Sequence, residues 1–263
     1  MAVSLVYAPP QEVPLDGGGT YNPSKFQRIV ASWWDEFWGE WVPEVTEGQP
    51  FGVVINGDAL DGVHHNSTTQ ISHNRADQQN IALALLKPVA ELCEGRLLMV
   101  RGTEAHVGQS GEDEERLARA LDAIPDENGC RSRNEIWMRV GERLVHCLHH
   151  IGVSGSAHYS HTALSKELSE IYYESARWAE EAPGAVVRSH RHRPDEVRIS
   201  TSKGYSYCFV TAGWQLKTPF AYKVPGARIS PPQIGGSVII QGPKDFYTRH
   251  QAWKLSRPKV VTL

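Results

Sequence analysis

Residues 51–58 read Phe51-Gly52-Val53-Val54-Ile55-Asn56-Gly57-Asp58, a short apolar run that ends at a glycine followed by an aspartate. A run of this length without alternation is typical of a strand buried on both faces, as in a parallel sheet. Gly57 permits a tight exit from the strand, and Asp58 then presents a carboxylate at the edge of the sheet. Because sites in open α/β sheets form beyond the carboxyl ends of the strands, Asp58 is the first candidate site residue.

Similar apolar runs recur along the chain and alternate with amphipathic stretches, which predicts an α/β fold. Strands are predicted over 96–101, 143–149 and 185–187, and helices over 24–41, 76–94, 112–124 and 162–181. After residue 195 the pattern alternates between apolar and polar residues, which predicts antiparallel strands that complete a second sheet. Residues 1–22 are rich in Pro and Gly and are predicted to be irregular. The chain shows no linker, so we expect a single domain over 1–263.

The composition excludes a strong bias toward membranes or nucleic acid. The formal net charge is −3, and no apolar run reaches the roughly 18 residues of a membrane span. The first residues lack the pattern of a signal peptide. The cysteines follow no metal-ligand spacing, so we expect them to be reduced; they are Cys93, Cys130, Cys147 and Cys208. We therefore expect a cytoplasmic protein.

Three further strand ends carry side chains that bind transition metals. Each pair alone has a plain structural explanation: a helix-capping loop, a core and a surface histidine, or a solvated basic loop. Their occurrence at successive strand ends of one chain favours a shared site. Imidazole and carboxylate ligands together favour Mn²⁺, Fe, Zn²⁺ or Co²⁺ over Ca²⁺ or Mg²⁺. The residues are Glu104 with His106, His149 with His150, and His190 with His192.

In this order the motifs resemble the signature of the calcineurin-like metallophosphoesterases, from about residue 51 to residue 194. The segment Gly102-Thr103-Glu104-Ala105-His106 is similar to phage-type and prophage-type members in particular. The resemblance implies a two-sheet β-sandwich flanked by helices, in α/β/β/α layers. It also implies a metal-dependent phosphoesterase that hydrolyses a phosphomonoester or phosphodiester through a metal-activated hydroxide.

The resemblance assigns metal-binding roles to five of the candidates. Asp58 would bridge two ions, His190 and either His149 or His150 would bind the second ion, and His192 would bind the first. One or two divalent ions per chain are implied, Mn²⁺ foremost, with Zn²⁺, Fe or Ni as alternatives. The family also opens with an Asp-x-His motif that serves the first ion, and this chain has none upstream of Asp58. We therefore expect weak binding of the first ion.

Two further residues receive roles from the same resemblance. Glu104 would lie near the place of the family's metal-binding Asn, and His106 would protonate the leaving group. Arg101 and Arg191 are candidates for stabilising the developing charge. The adjacent His64 and His65 are interpreted as substrate contacts, as replacements for a lost metal ligand, or as parts of a polar loop.

Two functions remain open from the sequence. The first is an active hydrolase, a nuclease or phosphodiesterase in a phage or prophage setting and hence in the host cytoplasm. Its substrate is nucleic acid, a nucleotide or a small phosphoester, and its oligomeric state is open. The second is a catalytically impaired or inactive binding protein of the same fold that has lost the first metal site.

Overall fold

The computed structural model describes residues 12–64, 67–152, 157–224, 227–256 and 259–262. The helices are α1 (Lys25–Glu36), continued by a π-helical segment (Phe37–Trp41) and α2 (Val42–Val45), then α3 (Arg75–Leu92), α4 (Glu104–Val107), α5 (Glu112–Ala120) and, after a 3-10 turn (Ala157–Tyr159), α6 (Ser160–Trp178). The strands are β1 (Val13–Pro14), β2 (Thr20–Tyr21), β3 (Val53–Asn56), β4 (Leu97–Val100), β5 (Ser132–Arg133), β6 (Glu135–Val140), β7 (Arg143–Leu148), β8 (Ala185–Arg188), β9 (Asp195–Thr201), β10 (Gly204–Val210), β11 (Gln233–Gln241) and β12 (Phe246–Lys254).

Two main sheets organise the molecule. The first contains β3, β4 and β5, all parallel. The second has the order β6-β7-β8-β10-β9, with β7, β8 and β10 parallel and an antiparallel strand at each edge. The hairpin of β11 and β12 lies alongside and is joined to β9 by hydrogen bonds from Thr248 and His250 to Glu196.

The alternation of side chains along the strands divides the core into three layers of contact. In β3, Ile55 packs toward α1, α3 and α5, whereas Val54 packs toward the second sheet. In β8, Val187 meets the first sheet, whereas Val186 packs against Leu164 of α6. The order is therefore helices, sheet, sheet, helix, which confirms the predicted α/β/β/α sandwich.

Helix α1 illustrates how the outer layer is fixed. Ser24 begins it with a capping box, in which the Ser24 hydroxyl accepts from the backbone of Gln27 and the Gln27 side chain accepts from the backbone of Ser24. Trp34 then packs edge-on against Trp214, with ring centroids 4.9 Å apart. Aromatic side chains of α1 therefore belong to the core that supports the first sheet.

The structure differs from the sequence prediction at several places. The strands β11 and β12, expected to complete the second sheet, form a two-stranded sheet of their own. Residues 13–21, predicted to be irregular, contain the short β1–β2 hairpin, because Val13 is drawn into the core at 3% exposure; residues 1–11 lie outside the described part. Strand β6 was not predicted, since its position at the edge leaves most of its side chains partly exposed. Strand β10 pairs in parallel with β8, although antiparallel pairing alone was expected after residue 195.

Two simpler expectations concern the cysteines and the membrane. The cysteines are unpaired, and Cys93, Cys147 and Cys208 are buried. Across the described residues, no helix combines the length and the apolar character that crossing a bilayer requires.

Candidate metal centre

The carboxyl ends of four strands meet at one edge of the sandwich. β3 and β4 are parallel neighbours in the first sheet, and β7 and β8 are parallel neighbours in the second. The Asn56 amide ties the sheets together there, because it donates to Leu148 O at 3.3 Å and to Ser189 Oγ at 2.8 Å. The loops that follow these strands are thereby held within side-chain reach of one another.

Asp58 lies at the centre of this edge and is only 4% exposed. Its Oδ2 is 2.9 Å from His149 Nε2 and 4.0 Å from both His106 Nε2 and His190 Nδ1. Its Oδ1 accepts from the backbone N–H of Thr103 at 2.7 Å. Burial alone raises the pKa of Asp58, but the hydrogen bond from His149 and the charges of His149 and His106 outweigh it and hold the pKa well below its usual range. The side chain is therefore an anion.

Three histidines gather on one side of this carboxylate. One ring nitrogen from each of His149, His150 and His190 lies within 4.8 Å of the others. His149 Nδ1 donates to Asn56 O at 2.7 Å, which leaves Nε2 for Asp58 or a cation. Burial lowers the pKa of His190 to about 4 and also lowers that of His150, with His149 adding to both shifts. At neutral pH both rings are consequently unprotonated, as metal ligands must be.

The hydroxyl of Thr103 sits among these groups. Its Oγ1 is 3.2 Å from His190 Nδ1, 3.4 Å from His150 Nε2 and 3.5 Å from both His149 Nε2 and Asp58 Oδ2. Sequence reasoning passed over this residue, because a threonine in a loop has no distinctive spacing.

Two glycines make room for this arrangement of side chains. A Cβ at Gly57 would lie 2.3 Å from His149 Nδ1, and one at Gly102 would lie 2.3 Å from Asp58 Oδ1. Non-glycine residues in the left-handed region are uncommon, yet Asp58 (φ 53°), His190 (φ 66°) and His192 (φ 51°) all adopt it. Such backbone strain concentrates at functional sites. Imidazole nitrogens beside a carboxylate suit Mn²⁺, Fe or Zn²⁺.

A second group of possible ligands adjoins the first. Asp61, His64 and His106 each offer one ligand atom within 4.8 Å of the others. His106 Nδ1 is 2.6 Å from Asp61 O and donates to it, so Nε2 faces Asp58. The rings of His64 and His106 pack edge-on with centroids 4.3 Å apart. His65 lies outside the described residues.

Two of the candidates predicted from sequence belong to neither group of possible ligands. Glu104 is exposed at the start of α4 and lines a cleft beside His150. His192 packs on Gly213, where a Cβ would lie 2.7 Å from His192 Cγ. Burial lowers the pKa of His192 to about 3. The structure therefore brings together Asp58, His106, His149, His150 and His190, whereas neither Glu104 nor His192 belongs to a group of three possible ligands in the described residues.

A buried carboxylate that sequence reasoning did not single out supports two of these loops. Glu114 of α5 is 0% exposed, and its oxygens accept from the backbone N–H of Ala59 at 2.9 Å and of Gly102 at 2.7 Å. Burial raises the pKa of Glu114 to about 7. Gln78 of α3 acts similarly, since its amide exchanges two hydrogen bonds with the backbone of Gly62 at 2.8 and 3.0 Å. Helices of the outer layer thus fix the loops that carry Asp58, Asp61 and Thr103.

No protein-family model and no curated protein matches the chain. Among solved structures it is similar to Vacuolar Protein Sorting 29 of Cryptosporidium parvum, with 10% identity over 65% of this chain and 76% of that one and a TM-score of 0.30. It is also similar to a single mutant of Vps29 from Entamoeba histolytica, with 8% identity over 64% of this chain and 77% of that one and a TM-score of 0.30. A third similar structure is a conserved uncharacterized protein of Streptococcus pneumoniae, described as a predicted phosphoesterase. The identity is 11% over 81% of this chain and 90% of that one, and the TM-score is 0.31. Likeness of this extent carries no activity with it, so the chemistry of the chain rests on its own side chains.

Proposed function

We propose that this protein is a metal-dependent phosphoesterase that hydrolyses a phosphodiester or phosphomonoester. The observation that carries the proposal is the position of Asp58, whose Oδ2 lies 2.9 Å from His149 Nε2 on one side and 4.0 Å from His106 Nε2 on the other. A carboxylate between a cluster of imidazoles and a separate imidazole combines a cation site with a proton donor, the two elements that hydrolysis of a phosphoester needs.

Asp58, His149, His150 and His190 would hold the divalent ion, and we propose Mn²⁺ as the first choice. The bound ion would polarise a phosphoryl oxygen and lower the pKa of a water molecule in its coordination sphere. The carboxylate of Asp58 would offset part of the positive charge of the ion, and the unprotonated rings of His150 and His190 would offer it neutral nitrogen ligands.

His106 would protonate the leaving oxygen. Its Nδ1–H is committed to Asp61 O, so the ring is held in one orientation and Nε2 is the atom that exchanges a proton. In the imidazolium form, Nε2 carries the proton that a departing alkoxide requires. A positioned acid of this kind contributes about 10²–10⁴-fold to the rate.

The test is hydrolysis of bis-p-nitrophenyl phosphate by the full chain, stripped with EDTA and reloaded with Mn²⁺, with metal content measured in parallel. We expect turnover that needs Mn²⁺ and is lost in His149→Ala, whereas the exposed His158→Gln serves as the matched control. Metal-independent turnover, or turnover that survives His149→Ala, would contradict the assignment.

A second candidate is a binding protein of the same fold that holds one cation and does not turn over substrate. The ligand groups favour it, because no group of three possible metal ligands in the described residues includes His192, the residue assigned to the first ion. Tight binding of one Mn²⁺ per chain without hydrolysis of any phosphoester would support this candidate over the hydrolase.

A further inference from the structure

A cleft of about 560 Å³ opens beside the candidate metal centre. Thr103 and His150 belong to both, and the lining continues with Arg101, Gln109 and Asn134. Protein sites for small organic ligands typically enclose about 300–1,000 Å³. The cleft is therefore larger than a reacting phosphoryl group needs, and it lies where the part of a substrate that does not react would extend.

Arg101 is the distinctive side chain of this cleft. Its Nε and Nη2 donate to the hydroxyl and carbonyl of Ser132 at 3.0–3.3 Å. No carboxylate in the described part of the chain pairs with it, whereas Arg131 pairs with Asp122 and Arg188 with Glu167. Its positive charge is thus left for a ligand.

The position of Arg101 is fixed in advance. A Cβ at Gly111 would lie 2.3 Å from Arg101 Cδ and Nε, so the side chain rests directly on the Gly111 backbone. Together with the bonds to Ser132, this contact restricts the rotamers of a long side chain. A guanidinium held in this way binds a phosphate with little further loss of conformational entropy.

The remaining lining describes the other end of the ligand. Gln109 and Asn134 offer amide donors and acceptors, and Glu104 places a carboxylate at the exposed rim. A carboxylate and two amides suit hydroxyl and N–H groups, such as those of a sugar and a base, and disfavour an alkyl chain.

We propose that the cleft binds the non-reacting part of a nucleotide substrate and that Arg101 binds a second phosphate of that substrate. The proposal rests on the proposed function, since it takes the reacting phosphate to lie at the metal centre. It narrows the substrate class to nucleoside bisphosphates and phosphodiesters within nucleic acid, as opposed to esters that carry a single phosphate.

The test compares two ligands that differ by one phosphate. Thymidine 5′-monophosphate and thymidine 3′,5′-bisphosphate are titrated calorimetrically into the Mn²⁺-loaded full chain, with chromatography to verify that both stay intact. We expect the bisphosphate to bind about ten-fold or more tightly than the monophosphate, as a charge-assisted guanidinium–phosphate contact implies. Arg101→Gln should abolish this difference, and Arg116→Gln, which removes the same charge from an exposed position on α5, should preserve it.

A second variant guards against a folding defect, because Arg101→Gln also removes the bonds to Ser132. Arg101→Lys keeps the charge but not the fork of donors, so it should retain part of the difference. Equal affinity for the two ligands in the wild type, or an unchanged difference in Arg101→Gln, would overturn the proposal.

Hydrolysis of bis-p-nitrophenyl phosphate, which has no second phosphate, separates this proposal from the proposed function. A wild type that distinguishes the two thymidine ligands through Arg101 but hydrolyses nothing would leave the cleft assigned and the enzyme refuted. A wild type that hydrolyses the ester but binds the two thymidine ligands equally would support the proposed function and overturn the assignment of the cleft.

Discussion

The carboxylate of Glu114 accepts a hydrogen bond from the backbone N–H of Gly102 at 2.7 Å, although none of its side chain reaches solvent. Its other oxygen holds Ala59, the residue after Asp58, at 2.9 Å. One side chain on a helix of the outer layer therefore sets the spacing between two loops of the candidate centre. Glu114 is a positioning residue, since it reaches the ligands only through the backbone.

Glu114→Ala should weaken both folding and metal binding. Two backbone donors would be left unpaired in a buried place, at a cost of about 1–3 kcal/mol each. We expect Mn²⁺ affinity to fall about 10–100-fold, as is typical when a group that orients ligands is removed. Urea unfolding and Mn²⁺ titration would measure the two effects, with the exposed Glu91→Gln as the control. Unchanged Mn²⁺ affinity in a folded Glu114→Ala protein would remove Glu114 from the site.

The pKa of Glu114 gives a pH dependence of stability that can be isolated by comparison with Glu114→Gln. The folded pKa of about 7 lies above the ordinary value of 4.5, so the folded chain holds a proton that the unfolded chain has released. The stability associated with this proton is complete below about pH 4.5 and is lost as the pH rises to about 7. The free energy of unfolding of the wild type should therefore fall relative to Glu114→Gln by on the order of 3 kcal/mol over this window. Parallel pH profiles of the two proteins would contradict the raised pKa.

Gly57→Ala should cost far more than an alanine at another left-handed glycine. Gly57 (φ +82°) and Gly95 (φ +76°) share the backbone conformation, but a Cβ at Gly57 would lie 2.3 Å from His149 Nδ1, whereas one at Gly95 meets nothing within 4 Å. Gly95→Ala should destabilise by the conformational cost alone, about 1–2 kcal/mol. Gly57→Ala should cost about 1–3 kcal/mol more, because His149 must move, and should also lose Mn²⁺. Thermal unfolding with and without the ion would compare them.

His106→Gln separates proton donation from metal binding. The variant lacks a titrating group at the position of Nε2, while the three-histidine group stays intact. We expect kcat on bis-p-nitrophenyl phosphate to fall about 10²–10⁴-fold, with Mn²⁺ content unchanged. A substrate with a better leaving group, which needs less protonation, should narrow the deficit. A loss of Mn²⁺ from the variant would instead indicate that His106 is a ligand.

Much of the architecture could be predicted because it depends on local patterns of apolar and polar residues. The apolar run before Asp58 and the similar run before Arg101 became buried parallel strands, and the residues just beyond them reached the same edge. This follows from parallel pairing, which aligns carboxyl ends. Strand β6 escaped prediction because an edge strand with partly exposed side chains lacks the unbroken apolar run of a central one.

The supporting groups of the site could not be predicted for a different reason. Four consecutive acids begin α5, from Glu112 to Glu115, and only the way that the helix docks decides that Glu114 turns inward. Thr103 likewise comes into contact with His149 and His190, which belong to loops of the other sheet. The lining of the cleft comes from separate segments near Arg101, Asn134 and His150. The spacing of residues within one segment cannot predict contacts between separate segments.

Because the candidate ligands come from two different sheets, a cation bound to them would link the two sheets of the sandwich. Asp58 follows a strand of the first sheet, and His149 and His190 follow strands of the second. Neither sheet alone supplies all of these ligands. Binding of the ion during refolding would therefore show when the two sheets pack against each other. If the proposed function holds, the bound ion would stabilise the packed sheets in proportion to the logarithm of its free concentration, so metal supply would control how firmly the sandwich stays closed.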